Sequence, residues 1–213
     1  MRARLSLSSL SLPHSLSLSP ALSLGECASA AEVYVWAAIR TCVRAPAWAI
    51  TSAPLAIGFD LANNTLYDQL YPIVANKLAI SINQQWLGNP GNLVANSSEY
   101  HEYYTEHGAG GGVLPEQRTD LYPTWMIWRK PLRTPAGGQA VLVINLSDQL
   151  QDVTVMYSAI DPSLGGGGRV EGTDVWSGAK LDLGNNATAT TFKGVESHGN
   201  VFAVLRPAGV ASD

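Results

Sequence analysis

The chain changes its hydrophobic period near residue 120. From Trp48 to Gly91 the pattern is mixed. Residues Ala47–Ser52 read as a short helical piece that breaks before Pro54, because the residue preceding a proline is pushed out of the helical region. Leu55–Phe59 (LAIGF) is a short continuous apolar run, the signature of a strand buried on both faces of a parallel sheet. Asp60 follows at its C-terminal end, then a loop. Leu66–Asn76 places Leu66, Leu70, Ile73 and Val74 at helical spacing, with Pro72 marking a kink or a second start. Leu78–Asn83 (LAISIN) reads as a second apolar strand, so the predicted order is strand, helix, strand: one βαβ unit. Gly88–Gly112 reads as loop, and YHEYYTEHG within it as solvated and polar.

After Tyr122 the period becomes two. Trp125–Lys130, Ala140–Asn145, Val153–Tyr157, Gly172–Trp176, Thr188–Val195 and Val201–Arg206 are predicted strands, separated by Gly-rich turns. Short alternating strands with such turns predict an antiparallel sandwich. The fold class expected is therefore a mixed α/β segment followed by an all-β sandwich. The domain limits expected are 31–115 and 116–213, with residues 1–30 set aside.

Those first residues are a separate problem. Residues 5–24 alternate Leu and Ser almost strictly. Arg2, Arg4 and the small residues Ala28-Ser29-Ala30 fit a secretory leader, and the lack of acidic residues up to Gly25 fits a transit peptide. A translated CT-dinucleotide repeat would give the same string.

Composition narrows the function classes. With 46% hydrophobic and 14% charged residues the chain can build a core, so bulk disorder is excluded. A net charge of −4 without any Lys/Arg cluster argues against nucleic-acid and anionic-membrane surfaces. Val33–Ile50 is interrupted by Arg40, Arg44 and Pro46 and is too short to span a membrane. Cys27 and Cys42 form no disulfide framework and have no metal-site spacing. His101-Glu102 opens a zinc-binding HExxH pattern that fails at Thr105. Neither glycine run is followed by Gly-Lys-Ser/Thr, so no phosphate loop is expected. No metal and no cofactor is expected. Four Asn-x-Ser/Thr sequons, at Asn63, Asn96, Asn145 and Asn186, lend weak support to a secretory route.

The ordered string WAITSAPLAIGFDLANNTLYDQLYPIVANKLAISINQQWLGNPG (48–91), followed by WMIWRKPL, AVLVINLSD, DVWSG and SHGNVFAVLRP, resembles the α-galactosidase family of glycoside hydrolases. The first string resembles the seventh strand, seventh helix and eighth strand of that family's (β/α)₈ barrel, and the rest its C-terminal β-sandwich. Pro46 departs from the pattern, and upstream of about residue 40 no family sequence is recognisable. The resemblance implies hydrolysis of terminal α-linked galactose by a retaining mechanism, with α-galactosides as substrates and a secreted or lysosomal/vacuolar location. It also implies two catalytic aspartates on the fourth and sixth strands, ahead of the matched region. No catalytic residue is therefore expected in this chain, which reads as a truncated, inactive form. A whole barrel needs about 250 residues, and the stretch ahead of the sandwich is far shorter.

Asp60 and Gln84 are the barrel-mouth positions that could meet substrate. Their bland alternatives are a helix N-cap or loop anchor for Asp60, and satisfaction of backbone groups for Gln84 and Gln85. Glu99, Glu102 and Glu106 are expected in solvent, His101 and His107 in a loop, and His198 in a turn. Two further readings compete with the enzyme reading. One is a non-catalytic, carbohydrate-associated β-sandwich protein that binds through exposed tryptophans. The other is a product that folds poorly because its orphaned βαβ unit exposes an apolar patch.

Overall fold

The computed structural model describes residues 45–55, 61–107, 116–184 and 188–209. The side chains of 103–107 and 116–119 are outside that description. Most of the predicted strand 55–59, Asp60, both cysteines and the Leu-Ser stretch also lie outside the described residues.

Three helices come first. Residues 45–51 form α1. It ends in a Schellman motif, in which the Ala53 N–H donates to Trp48 O and the Ser52 N–H to Ala49 O. Ser52 takes the left-handed conformation at φ 53°, a position that glycine usually fills. Helix α2 (Asn64–Val74) starts at Asn63, whose side chain accepts from the Leu66 N–H. It runs through Pro72 and stops two residues later. Helix α3 (Lys77–Gln84) is capped by Asn76, which accepts from the Ala79 N–H.

Helix α3 corrects the predicted strand 78–83, and with it the second strand of the βαβ unit. The short apolar run LAISIN suggests a strand. The Asn76 cap and the burial of Ala79 and Ile82, three apart on one helical face, decide otherwise.

The rest is antiparallel β. The strands are β1 (Asn92–Asn96), β2 (Tyr100–His107), β3 (Glu116–Pro123), β4 (Trp125–Pro131), β5 (Gln139–Asn145), β6 (Gln151–Met156), β7 (Val170–Asp174), β8 (Lys180–Leu181), β9 (Ala189–Val195) and β10 (Asn200–Pro207). A one-turn helix α4 (Tyr157–Ile160) follows β6. All six strands predicted after residue 122 are present. The expected loop 88–112 is corrected: it contains β1 and β2, and β2 pairs with β3 along its whole length.

The main sheet has six strands in the order β1-β4-β5-β10-β7-β8, and β6 pairs with β9 in a second, smaller sheet. Every residue of β5 is buried. Alternation sends Val141 and Val143, with Val201, Ala203 and Leu205 of β10, to one face, where they meet Val153 and Val155 of β6, Tyr157 and Ile160. Ala140, Leu142 and Ile144, with Phe202 and Val204, go to the opposite face and meet Ala49 and Ile50 of α1 and Ala79 and Ile82 of α3. The sheet is thus a middle layer between the two-stranded β6–β9 sheet and a pair of helices. A central strand buried on both faces reads as an unbroken apolar run, and AVLVI is one.

Gly91 allows close contact at the helix–sheet seam. A Cβ there would sit 2.3 Å from Ile50 Cγ2 and 2.9 Å from Arg129 O, so only glycine fits.

Candidate functional site

The chemically unusual group is Lys130. It lies on β4 opposite Ala140, on the helix-facing side of the sheet, and is 1% exposed. Its Nζ donates to Ser52 Oγ at 2.6 Å, Asn83 O at 3.2 Å and Ala49 O at 3.3 Å, and also to Ile82 O. These oxygens cluster at the C-terminal ends of α1 and α3, where the helix dipole is negative. No carboxylate is among its hydrogen-bond partners. Burial without a counter-charge lowers its pKa from 10.5 to about 8. The left-handed Ser52 brings its hydroxyl into this cage.

Three amides reinforce the same seam. Asn83 Nδ2 donates to Trp48 O and Ala53 O at 2.9 and 2.8 Å, closing the end of α1. Asn76 Nδ2 donates to Val175 O and Trp176 O beyond β7. Gln85 Oε1 accepts from the Arg133 and Thr134 N–H groups, and its Nε2 donates to Thr134 O. Helices and sheet are therefore held by directional bonds as well as by apolar contact. Beside the seam lies a cavity of about 190 Å³, lined by Ala47, Ile50, Thr51, Met126, Trp128, Leu142 and Ile144. Its walls are apolar and present no carboxylate or histidine, so it has no group for acid–base work.

Of the residues singled out in the sequence, Gln84 is exposed at the end of α3, on a helix instead of a strand. Gln85 satisfies backbone groups, as its bland reading held. Asp60 is outside the described residues. Glu99 and Glu102 are exposed, and His101 and Glu102 lie on β2. His198 occupies the β9–β10 turn and pairs with Asp148 at 2.9 Å, an exposed contact between two turns. Nothing brings these groups together. Sequence reasoning missed Lys130, although it shares the alternation of Met126 and Trp128 and so points to the same face. Among the described residues no group of three or more His, Cys, Asp or Glu is placed to hold a metal. No helix there is long and apolar enough to cross a membrane.

The arrangement defines a class first: an antiparallel β-sandwich with helices docked on its second face through a buried lysine. The family comparison is more specific. Residues 123–205 match the family model of the alpha galactosidase C-terminal beta sandwich domain. The resemblance to the α-galactosidase family read from the sequence is thus borne out.

Solved structures agree on the fold. α-Galactosidase I from Mortierella vinacea superposes with a TM-score of 0.57 at 20% identity, over 82% of this chain and 37% of that one. An α-galactosidase from Saccharomyces cerevisiae gives 0.56 at 21% identity, over 86% and 46%. A β-L-arabinopyranosidase from Geobacillus stearothermophilus gives 0.56 at 18% identity, over 80% and 31%. The chain therefore spans less than half the length of these relatives. No curated protein sequence matches it.

Proposed function

We propose that this chain is the C-terminal part of an α-galactosidase-type glycoside hydrolase: the sandwich, with the last helices of a barrel docked on it. The division would fall just ahead of β1, near residue 91, because β1 already pairs with β4 in the sandwich sheet; this lies ahead of the limit of 115 expected from sequence. The observation that carries the reading is the match of residues 123–205 to the sandwich domain, with the ends of α1 and α3 tied to it by Lys130. The parent enzyme would release terminal α-linked galactose with retention. Such a reaction needs two carboxyl groups about 5–5.5 Å apart, one as nucleophile and one as acid/base. In a barrel enzyme these stand at strand ends, and the resemblance puts both ahead of residue 48. Asp60 and Gln84 would then be at most peripheral to substrate, and this polypeptide alone would be inactive. Secretion, or delivery to a lysosome or vacuole, belongs to the same proposal.

Full-length transcripts test it. A frame continuous with this one, carrying more βα units and two strand-end aspartates upstream, is expected. Transcripts that all begin at Met1, with no barrel sequence ahead, would overturn it.

A further inference from the structure

We propose that Asn96 is an N-glycan acceptor, and that the glycan guards the open β1 edge of the six-stranded sheet. The proposal rests on the secretory route stated above.

The structure sorts the four sequons by chemistry. Oligosaccharide transfer modifies the amide nitrogen, and the sugar must then remain in water through folding. Asn145 fails on both counts. It is 0% exposed, and its Nδ2 donates to Gln149 O, Val195 O and Glu196 O at 2.7, 2.9 and 2.9 Å. Its Oδ1 accepts from the N–H and hydroxyl of Ser147, the hydroxyl residue of its own sequon. A sugar there would orphan buried carbonyls and leave no room for the fold. Asn63 is half-buried as the cap of α2. Asn186 is outside the described residues.

Asn96 differs. It is exposed at the last position of β1, and Ser98, the hydroxyl residue of its sequon, is exposed too. Its Nδ2 donates to Ser97 O at 3.1 Å and to the Tyr100 hydroxyl at 3.3 Å. A glycosylated amide keeps one N–H, so one of these bonds survives modification.

The place gives the glycan a task. β1 ends the main sheet, and among the described strands it pairs with β4 alone. The opposite edge, β8, has two residues, whereas β1 has five and exposes Leu93. An open strand edge with an exposed apolar residue invites pairing with another chain. The irregularity between Leu93 and Ala95 blunts that edge in part, and a bulky hydrated sugar three residues from Leu93 would block it.

The test is to express the full chain in a eukaryotic host, behind a cleavable secretory leader and with a C-terminal tag that carries its own sequon. Enzymatic deglycosylation converts each occupied Asn to Asp, which peptide mass mapping reads. Conversion is expected at Asn96 and at the tag, not at Asn145. Asn96→Gln and Ser98→Ala should each remove one glycan from the gel mobility. An occupied tag beside a bare Asn96, or a glycan on Asn145 in folded protein, overturns the site. Deglycosylated protein should self-associate more at high concentration; unchanged association overturns the guarding role. Absence of glycan from the chain expressed with its own N-terminus, beside occupancy behind the added leader, would count against the secretory route alone.

Discussion

The helical stretch 45–91 and the sandwich 123–207 solve the burial problem differently. Among the described residues between 48 and 87, seven large apolar side chains are exposed: Trp48, Leu55, Leu61, Tyr67, Tyr71, Trp86 and Leu87. In the described part of 123–207 the exposed ones are Leu150 and Met156. The sandwich buries one face of β5 and β10 against β6 and β9 and the other beneath α1 and α3. The helices bury one side against the sheet and leave aromatic surface in water, including the Tyr67–Tyr71 pair at 5.2 Å. On the proposed reading, the rest of a barrel would cover it. The comparison teaches that the helices carry surplus apolar surface on their outer side, whereas the described part of the sandwich leaves almost none exposed.

Several substitutions test that asymmetry. Phe202 is fully buried on the helix-facing side. Phe202→Ala should cost about 3–5 kcal/mol, read as a shift in the denaturant midpoint, and should unfold both regions together. Asn145→Ala orphans three carbonyls inside the sandwich and should cost about 2–3 kcal/mol. An equal cost for Asn83→Ala, at the helix end, would break the claimed asymmetry. Asn83→Ala should instead raise hydrogen exchange in 45–85 with little change in 139–205. Trp86→Ser should change stability by under about 0.5 kcal/mol and reduce aggregation.

The pH dependence sharpens the same contrast. Burial lowers Lys130 from 10.5 to about 8 in the folded state. Below pH 8 both states are protonated and the folded state carries the full desolvation cost. Between pH 8 and 10.5 the unfolded chain binds more protons, so stability rises with pH, by about 2–3 kcal/mol. Tyr157 opposes this only above its ordinary value of 10, because burial raises its pKa and folding then disfavours the phenolate. Denaturant melts at pH 7, 8, 9 and 10 should show the rise in the native sequence and lose it in Lys130→Met.

How much of this was legible in sequence follows from where each residue's partners lie. β5 and β10 were readable because a strand buried on both faces writes its environment as an apolar run. α3 was misread because LAISIN is a short apolar run that reads as a strand, while the deciding cap at Asn76 and the sheet beneath Ala79 and Ile82 lie outside or beneath that run. β2 was missed because YHEYYTEH carries polar groups on both faces and is set by its ladder with β3. Lys130 was passed over because nothing beside it in the chain marks burial; its burial depends on helix ends 47 to 81 residues away in sequence.

The central proposal is that this chain is part of an α-galactosidase-type hydrolase whose catalytic carboxylates would lie outside it. The most direct measurement is turnover of a chromogenic α-galactoside by the purified full chain, with cooperative unfolding verified on the same sample. The account predicts no release above the buffer rate. Saturable hydrolysis that co-purifies with the chain, and disappears on Asp60→Asn, would contradict it.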